Sequence, residues 1–224
     1  IIRTDPNKKQ ITLAFTAADK ADGADAIIRT LKKNNIKGAF FFTGEFYERY
    51  PEVIQRLLND KHYVGGHSYG HLLYMSWENP DSLLVTRQEF EQDMIKSYDT
   101  LRKAGIEYQD APFYIPPYEY YNKKIASWAK GLGIQVINFT PGTLSNADYT
   151  IPEMGNKYRS SKYIHAKILE VEKEKGLNGH LMLFHLGTSE KRIDKFYDTY
   201  LDKTIKDLKK KGYVFTPLRE AIGK

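Results

Sequence analysis

Residues 11–43 read ITLAFTAADKADGADAIIRTLKKNNIKGAFFFT. The stretch opens on a short apolar run, residues 11–15, bounded by small and polar residues, which is the pattern of a buried strand. From Ala24 the apolar residues Ala24, Ile27, Ile28 and Leu31 fall at helical spacing, and Asn34-Asn35 ends the helix. A second apolar run, residues 38–43 (GAFFFT), forms another strand. Strand, helix and strand in that order make one βαβ unit, and such units build parallel sheets.

The same alternation continues to the end of the chain. Residues 51–59 suit a helix with proline at a start position that tolerates it, and residues 63–66 a third strand. A long helix follows with Phe90, Met94, Tyr98 and Leu101 on one face and Gly105 at its end. Residues 111–114 form a fourth strand, cut off by Pro116-Pro117, and residues 135–139 a fifth, after a helix over 123–130. A helix over 161–175 turns Ile164, Ile168 and Val171 inward, and residues 180–186 make the sixth strand. A helix carrying Phe196, Tyr200, Ile205 and Leu208 leads to a seventh strand at 213–218. Seven strands alternating with helices predict a parallel α/β barrel, with no linker or composition break to divide residues 1–224 into more than one domain. Residues 140–160 show no periodicity, and a loop of that length is usually functional.

Composition narrows the possibilities. At 41% hydrophobic and 28% charged residues the chain is globular rather than disordered. No apolar run approaches the roughly 18–20 residues that span a bilayer. With no cysteine, disulfides and thiolate zinc sites are excluded. The net charge of +6 is spread over many helices, and its densest run, Lys209 to Lys211, falls where cations favour a helix end; nucleic acid is not expected as a partner. The chain opens at Ile1 without a secretory signal pattern. It is therefore read as a mature protein or excised domain of periplasmic or extracellular origin.

In a parallel barrel, functional groups gather just after the strands. Asp19 and Asp22 follow the first strand, Thr43-Gly44 the second, His67 and His71 the third, and Pro116-Pro117-Tyr118-Glu119 the fourth, while His185 ends the sixth. Two histidines four apart can direct both imidazoles at one ion, although the spacing alone also suits polar residues in a glycine-flanked loop.

Taken in order, Ala39-Phe40-Phe41-Phe42-Thr43-Gly44, His67-Ser68-Tyr69-Gly70-His71, Pro116-Pro117-Tyr118 and Leu181-Met182-Leu183-Phe184-His185 make the chain resemble the polysaccharide deacetylases of carbohydrate esterase family 4. The resemblance implies a distorted (β/α)7 barrel and metal-assisted removal of acetyl groups from an acetylated polysaccharide or oligosaccharide. It further implies a divalent ion, often zinc, on His67 and His71, with His185 as general acid.

Two departures from that pattern bear on activity. Alignment on Phe15 puts Thr16 and Ala17 where the family carries its base and third ligand, both aspartates. Ile115 stands in place of the arginine that orients the catalytic aspartate, and the fourth motif, with its aspartate and tryptophan, is unrecognisable. Asp19 is then the candidate third ligand and Glu119 the candidate base, while Asp22 reads as a helix cap. Tyr69 and Tyr118 belong to a tyrosine cluster that suits either a sugar-binding groove or packing. Thr143 and Asn146 in the long loop could bond a sugar or satisfy the loop itself. Two alternatives accompany the deacetylase reading: a glycan-binding barrel without catalysis, and a glycosidase using Glu119 and Asp19 as a carboxylate pair.

Overall fold

A computed structural model describes residues 1–223. At its centre lie seven strands: β1 (Gln10–Ala17), β2 (Ala39–Phe42), β3 (Tyr63–Gly66), β4 (Phe113–Tyr114), β5 (Gln135–Val136), β6 (His180–His185) and β7 (Val214–Phe215). All of their pairings are parallel. The spatial order is β5-β4-β3-β2-β1-β6, with β7 against the first residues of β1. The sheet curls into a half-barrel, and helices cover its outer face.

Strand alternation explains which side chains face which way. Leu13, Phe15 and Ala17 of β1, Phe40 and Phe42 of β2, and Met182 and Phe184 of β6 join the large outer core beneath the helices. Ala14, Ala39, Phe41, Phe113, Leu181 and Leu183 fill the concave side instead. Continuing that inner parity along β1 and β6 reaches Thr16 and His185, which are paired in register. Continuing it from Tyr63, which packs on the inner cluster, reaches His67 just past β3. The period of two therefore delivers these groups to one mouth, above an apolar plug.

The helices are α1 (Ala24–Lys33), α2 (Gly44–Arg49), α3 (Pro51–Asn59), α4 (Arg87–Lys103), α5 (Lys123–Gly131), α6 (Ser161–Lys175), α7 (Phe196–Thr199), α8 (Leu201–Lys210) and α9 (Leu218–Ile222). Among the described residues no helix is long and apolar enough to cross a membrane. α4 starts on a capping box in which Thr86 and Glu89 satisfy each other's backbone N–H groups.

Between β5 and β6 the ring is completed without regular strand. Ile137 N–H donates to Tyr114 O and Thr140 N–H to Leu181 O, each at 2.9 Å. Ile1 N–H donates to Val136 O at 2.8 Å, Asn138 N–H to Ile1 O at 2.8 Å, and Arg3 bridges antiparallel to His180. The first three residues thus fill the gap between the two sheet edges.

Several elements differ from the sequence expectation. The fifth strand stops at Val136 because the chain then turns to serve that seam. The seventh is only Val214–Phe215, and Leu218 opens α9 after Pro217. The expected single helix around Phe196 to Leu208 is broken at Tyr200 into α7 and α8. Asp22 does not cap α1. Its carboxylate instead accepts from Thr188 N–H at 2.9 Å, Lys195 Nζ at 3.0 Å and the Tyr197 hydroxyl.

Candidate active site

The mouth of the half-barrel holds a cavity of about 320 Å³. β1 and the loop after it contribute Thr16, Ala17 and Asp19, and the segment after β3 contributes His67, His71 and Trp77. Tyr118 and Glu119 follow β4, Tyr149 comes from the β5–α6 loop, and His185 ends β6. A larger groove of about 600 Å³ runs beside it over α1 and α3, sharing Asp19. That groove is walled by mixed surface charges and contains none of the histidines, so the smaller cavity is where chemistry can occur.

His67 is 2% exposed, and its Nδ1 lies 2.7 Å from the Ile115 carbonyl oxygen. A carbonyl can only accept, so Nδ1 carries the proton and Nε2 keeps a free lone pair. The turn that follows is held from several sides. Ser68 Oγ accepts from His71 N–H at 2.9 Å, while Asp93 of α4 accepts from Tyr69 N–H at 3.0 Å and Gly70 N–H at 2.9 Å. Ser68 and His71 both take positive φ, 68° and 52°, which this bonding stabilises. The turn is a tight loop, not a helix, and it sets the two imidazoles 5.0 Å apart between centroids. Burial, reinforced by the neighbouring His71, holds His67 well below the ordinary histidine range. Burial and then the charge of His185 bring His71 down to about 4. Both rings are neutral at physiological pH, the state in which imidazole binds metal.

Across the cavity His185 is fixed by one carboxylate. Asp148 Oδ1 lies 2.7 Å from His185 Nδ1, and Oδ2 accepts from His185 N–H at 2.9 Å. Burial alone would lower the His185 pKa, but the charge and hydrogen bond of Asp148, with a smaller contribution from Glu119, outweigh it and raise it. Asp148 is 1% exposed, and its loop is anchored by the fully buried Arg192. The Arg192 guanidinium donates to Thr150 O at 2.5 Å, Arg159 O at 3.1 Å and Ser161 Oγ at 2.9 Å.

Glu119 sits at φ 53°, its N–H donating to Pro116 O at 2.9 Å and its carbonyl accepting from Asn138 Nδ2 at 2.6 Å. Burial raises its carboxyl pKa; His185 opposes that and Asp148 adds to it. Asp19 is exposed on the rim, its carbonyl held by Arg49 and Tyr50, and its charge acts favourably on a protonated His71. Thr16 Oγ1 is enclosed and lacks a hydrogen-bond partner among the described residues.

The cavity thus brings together Asp19, His67, His71, Tyr118, Glu119 and His185, but not Tyr69, Thr143 or Asn146. Tyr69 packs on Gly44, where a Cβ would come within 2.0 Å of its ring, and its hydroxyl donates to Glu48 at 3.2 Å. Thr143 is buried against Ser145, and Asn146 lies in a short 3₁₀ turn off the cavity wall. Asp148 stands in the aperiodic loop over residues 140–160, and nothing in the sequence marks it as the partner of His185. Trp77 was missed as well; its only signal was a tryptophan in the aperiodic stretch after His71.

The histidine pair fits a divalent ion in charge and proximity, and His67 in tautomer as well. Among the described residues no three His, Cys, Asp or Glu side chains converge as ligands.

Comparison with known proteins gives a consistent picture. A family model described as polysaccharide deacetylase matches residues 3–137. A peptidoglycan-N-acetylglucosamine deacetylase of Bacillus cereus is 27% identical over 214 residues, covering 95% of this chain and 68% of the relative. Among solved structures, a peptidoglycan N-acetylglucosamine deacetylase superposes with a TM-score of 0.78 at 24% identity, covering 100% of this chain and 92% of that one. A Bacillus anthracis pseudoenzyme of carbohydrate esterase family 4 gives 0.76 at 21%, covering 99% and 68%. At these identities the structural matches establish the fold alone.

Proposed function

The chain belongs to the polysaccharide deacetylase family, and from that premise we propose that it hydrolyses acetyl groups on an acetylated glycan, with a divalent ion, zinc by preference, on His67 and His71. The observation that carries this reading is the pairing in one cavity of a neutral two-histidine anchor with His185, which Asp148 holds from behind the cavity wall. The relatives' activity on peptidoglycan supports an N-acetylated cell-wall polymer as substrate and a site of action outside the cytoplasm.

When bound, the ion polarises the acetyl carbonyl and lowers the pKa of water. The chain's own groups move the protons. Glu119, its pKa raised by burial, takes a proton from the attacking water. His185 turns Nε2 to the cavity because Asp148 occupies Nδ1, and its raised pKa favours the imidazolium. Nε2–H then protonates the sugar nitrogen as the C–N bond breaks, giving acetate and a free amine. Asp19, on the rim of the same cavity, would be the third residue to hold the ion. Tyr118 borders the substrate at the mouth.

The test is acetate release from N-acetylated oligosaccharides, with metal content measured on the same protein. Wild type should carry one ion and turn over; the His67→Ala, His71→Ala double variant should lose both while staying folded. Asp19→Asn should weaken the ion, and Glu119→Gln should keep it and stop turnover.

A second reading is favoured by Thr16 and Ala17, which replace the usual aspartates with groups that neither ligate as carboxylates nor accept a proton. On that reading the cavity binds glycan without hydrolysis. Saturable glycan binding with no acetate release from any metal-loaded form would select it.

A further inference from the structure

Trp77 is 59% exposed although it lines the cavity beside His71, Tyr118 and Glu119. Its position is built rather than loose. Residues 74–84 form a small hairpin in which Met75 bridges antiparallel to Leu83, Ser76 N–H donates to Ser82 O, and Leu84 N–H donates to Tyr74 O. The base of the hairpin, Tyr74 and Met75, is buried, whereas its outer arm carries the indole out of the fold. Two groups from the β4–α5 loop brace it: Tyr120 hydroxyl donates to Ser76 O at 3.0 Å, and Asn122 Nδ2 to Pro80 O at 2.8 Å.

The ring itself is equally constrained. One face of the indole stacks on Tyr120 at 4.6 Å and 21°, and Tyr118 meets it edge-on at 5.7 Å and 85°. A tryptophan serving only as packing would be largely covered, because the hydrophobic gain scales with the area removed from water. Here stacking fixes the ring while its outer face stays open at the cavity rim. The indole N–H has no partner among the described residues and can donate to a ligand hydroxyl.

We infer that Trp77 is the platform of a sugar subsite adjoining the cavity, taking the C–H face of the pyranose ring next to the acetylated residue. The inference rests on the glycan reading above but not on catalysis. It makes Trp77 a positioning residue that selects oligomers over monomers.

The chain has two tryptophans, and Trp128 lies on α5, packed on Phe90. A Trp128→Phe protein therefore reports on Trp77 alone. Its emission should shift on saturation with N-acetylated chitotetraose or acetylated xylotetraose and stay unchanged with N-acetylglucosamine. Trp77→Ala should raise KM for the responding tetramer about tenfold, with a smaller change in kcat. Trp77→Phe, which keeps an aromatic face, should fall between. An emission shift without acetate release from wild type would leave the subsite standing and remove the hydrolytic reading. Acetate release with unmoved emission and unchanged KM in Trp77→Ala would overturn the subsite and spare the hydrolysis. No emission response to either tetramer also overturns the subsite.

Discussion

His185 has both its backbone N–H and its ring held by the two oxygens of Asp148, so one substitution tests position and charge together. An acid works in its protonated form, and its pKa is raised in the folded site. Activity should accordingly fall as pH rises through that pKa. Asp148→Asn removes the charge, so the basic limb of the kcat profile should move to lower pH and the rate at neutral pH drop by about 10²-fold. A profile identical to wild type would deny His185 its role as acid. The histidines were legible in the sequence because each lies within a few residues of a strand end. Asp148 was not, since it lies in the aperiodic loop over residues 140–160 and meets His185 across 37 residues of chain.

At the scale of elements, α4 positions the turn that carries His67 and His71 through Asp93, which satisfies two of its backbone donors. Asp93→Ala should leave both unpaired at this end of the turn and cost about 1–3 kcal/mol of stability by urea titration. It should also weaken metal binding without touching a ligand; unchanged affinity would mean that the turn holds itself. Ahead of β3, His62 is 7% exposed and its Nδ1 accepts from Gly38 N–H at 3.0 Å. Burial lowers its pKa to about 4. The folded state binds its proton less readily than the unfolded chain, so this contribution is complete above the unfolded value of about 6.5 and is lost as pH falls towards 4. His62→Asn keeps an acceptor without the titration and should flatten the stability profile across that window. An unchanged slope would contradict this. The bounds of α3, with proline in its first turn, and of α6, with Ser160 capping its start, follow from the sequence to the residue. α2 was missed because its six residues are too few to show a period, and only Thr43, accepting from Phe46 N–H, marks its start.

For the whole molecule, alternation of strand and helix dictated a parallel sheet, but not how its edges meet. That depends on Thr140, whose hydroxyl donates to Ile2 O at 2.5 Å and accepts from Leu181 N–H at 3.0 Å, and on residues 1–3 beside it. These bonds join residues more than a hundred apart with those 41 apart, a pairing no local pattern encodes. Thr140→Val keeps the shape and loses both bonds, and should lower thermal stability by about 1–3 kcal/mol while leaving His67 and His71 in place. A variant as stable as wild type would mean that the seam closes without it. The same closure carries the Asp148 loop from β5 to His185 on β6, opposite the paired histidines that follow β3. The most direct test of the whole is acetate release from an N-acetylated glycan oligomer by chelator-treated protein before and after addition of one equivalent of zinc. The expected result is no release after chelation and full recovery with zinc in wild type, but not in the His67→Ala, His71→Ala variant. Release that persists through chelation, or never appears in any form, would contradict it.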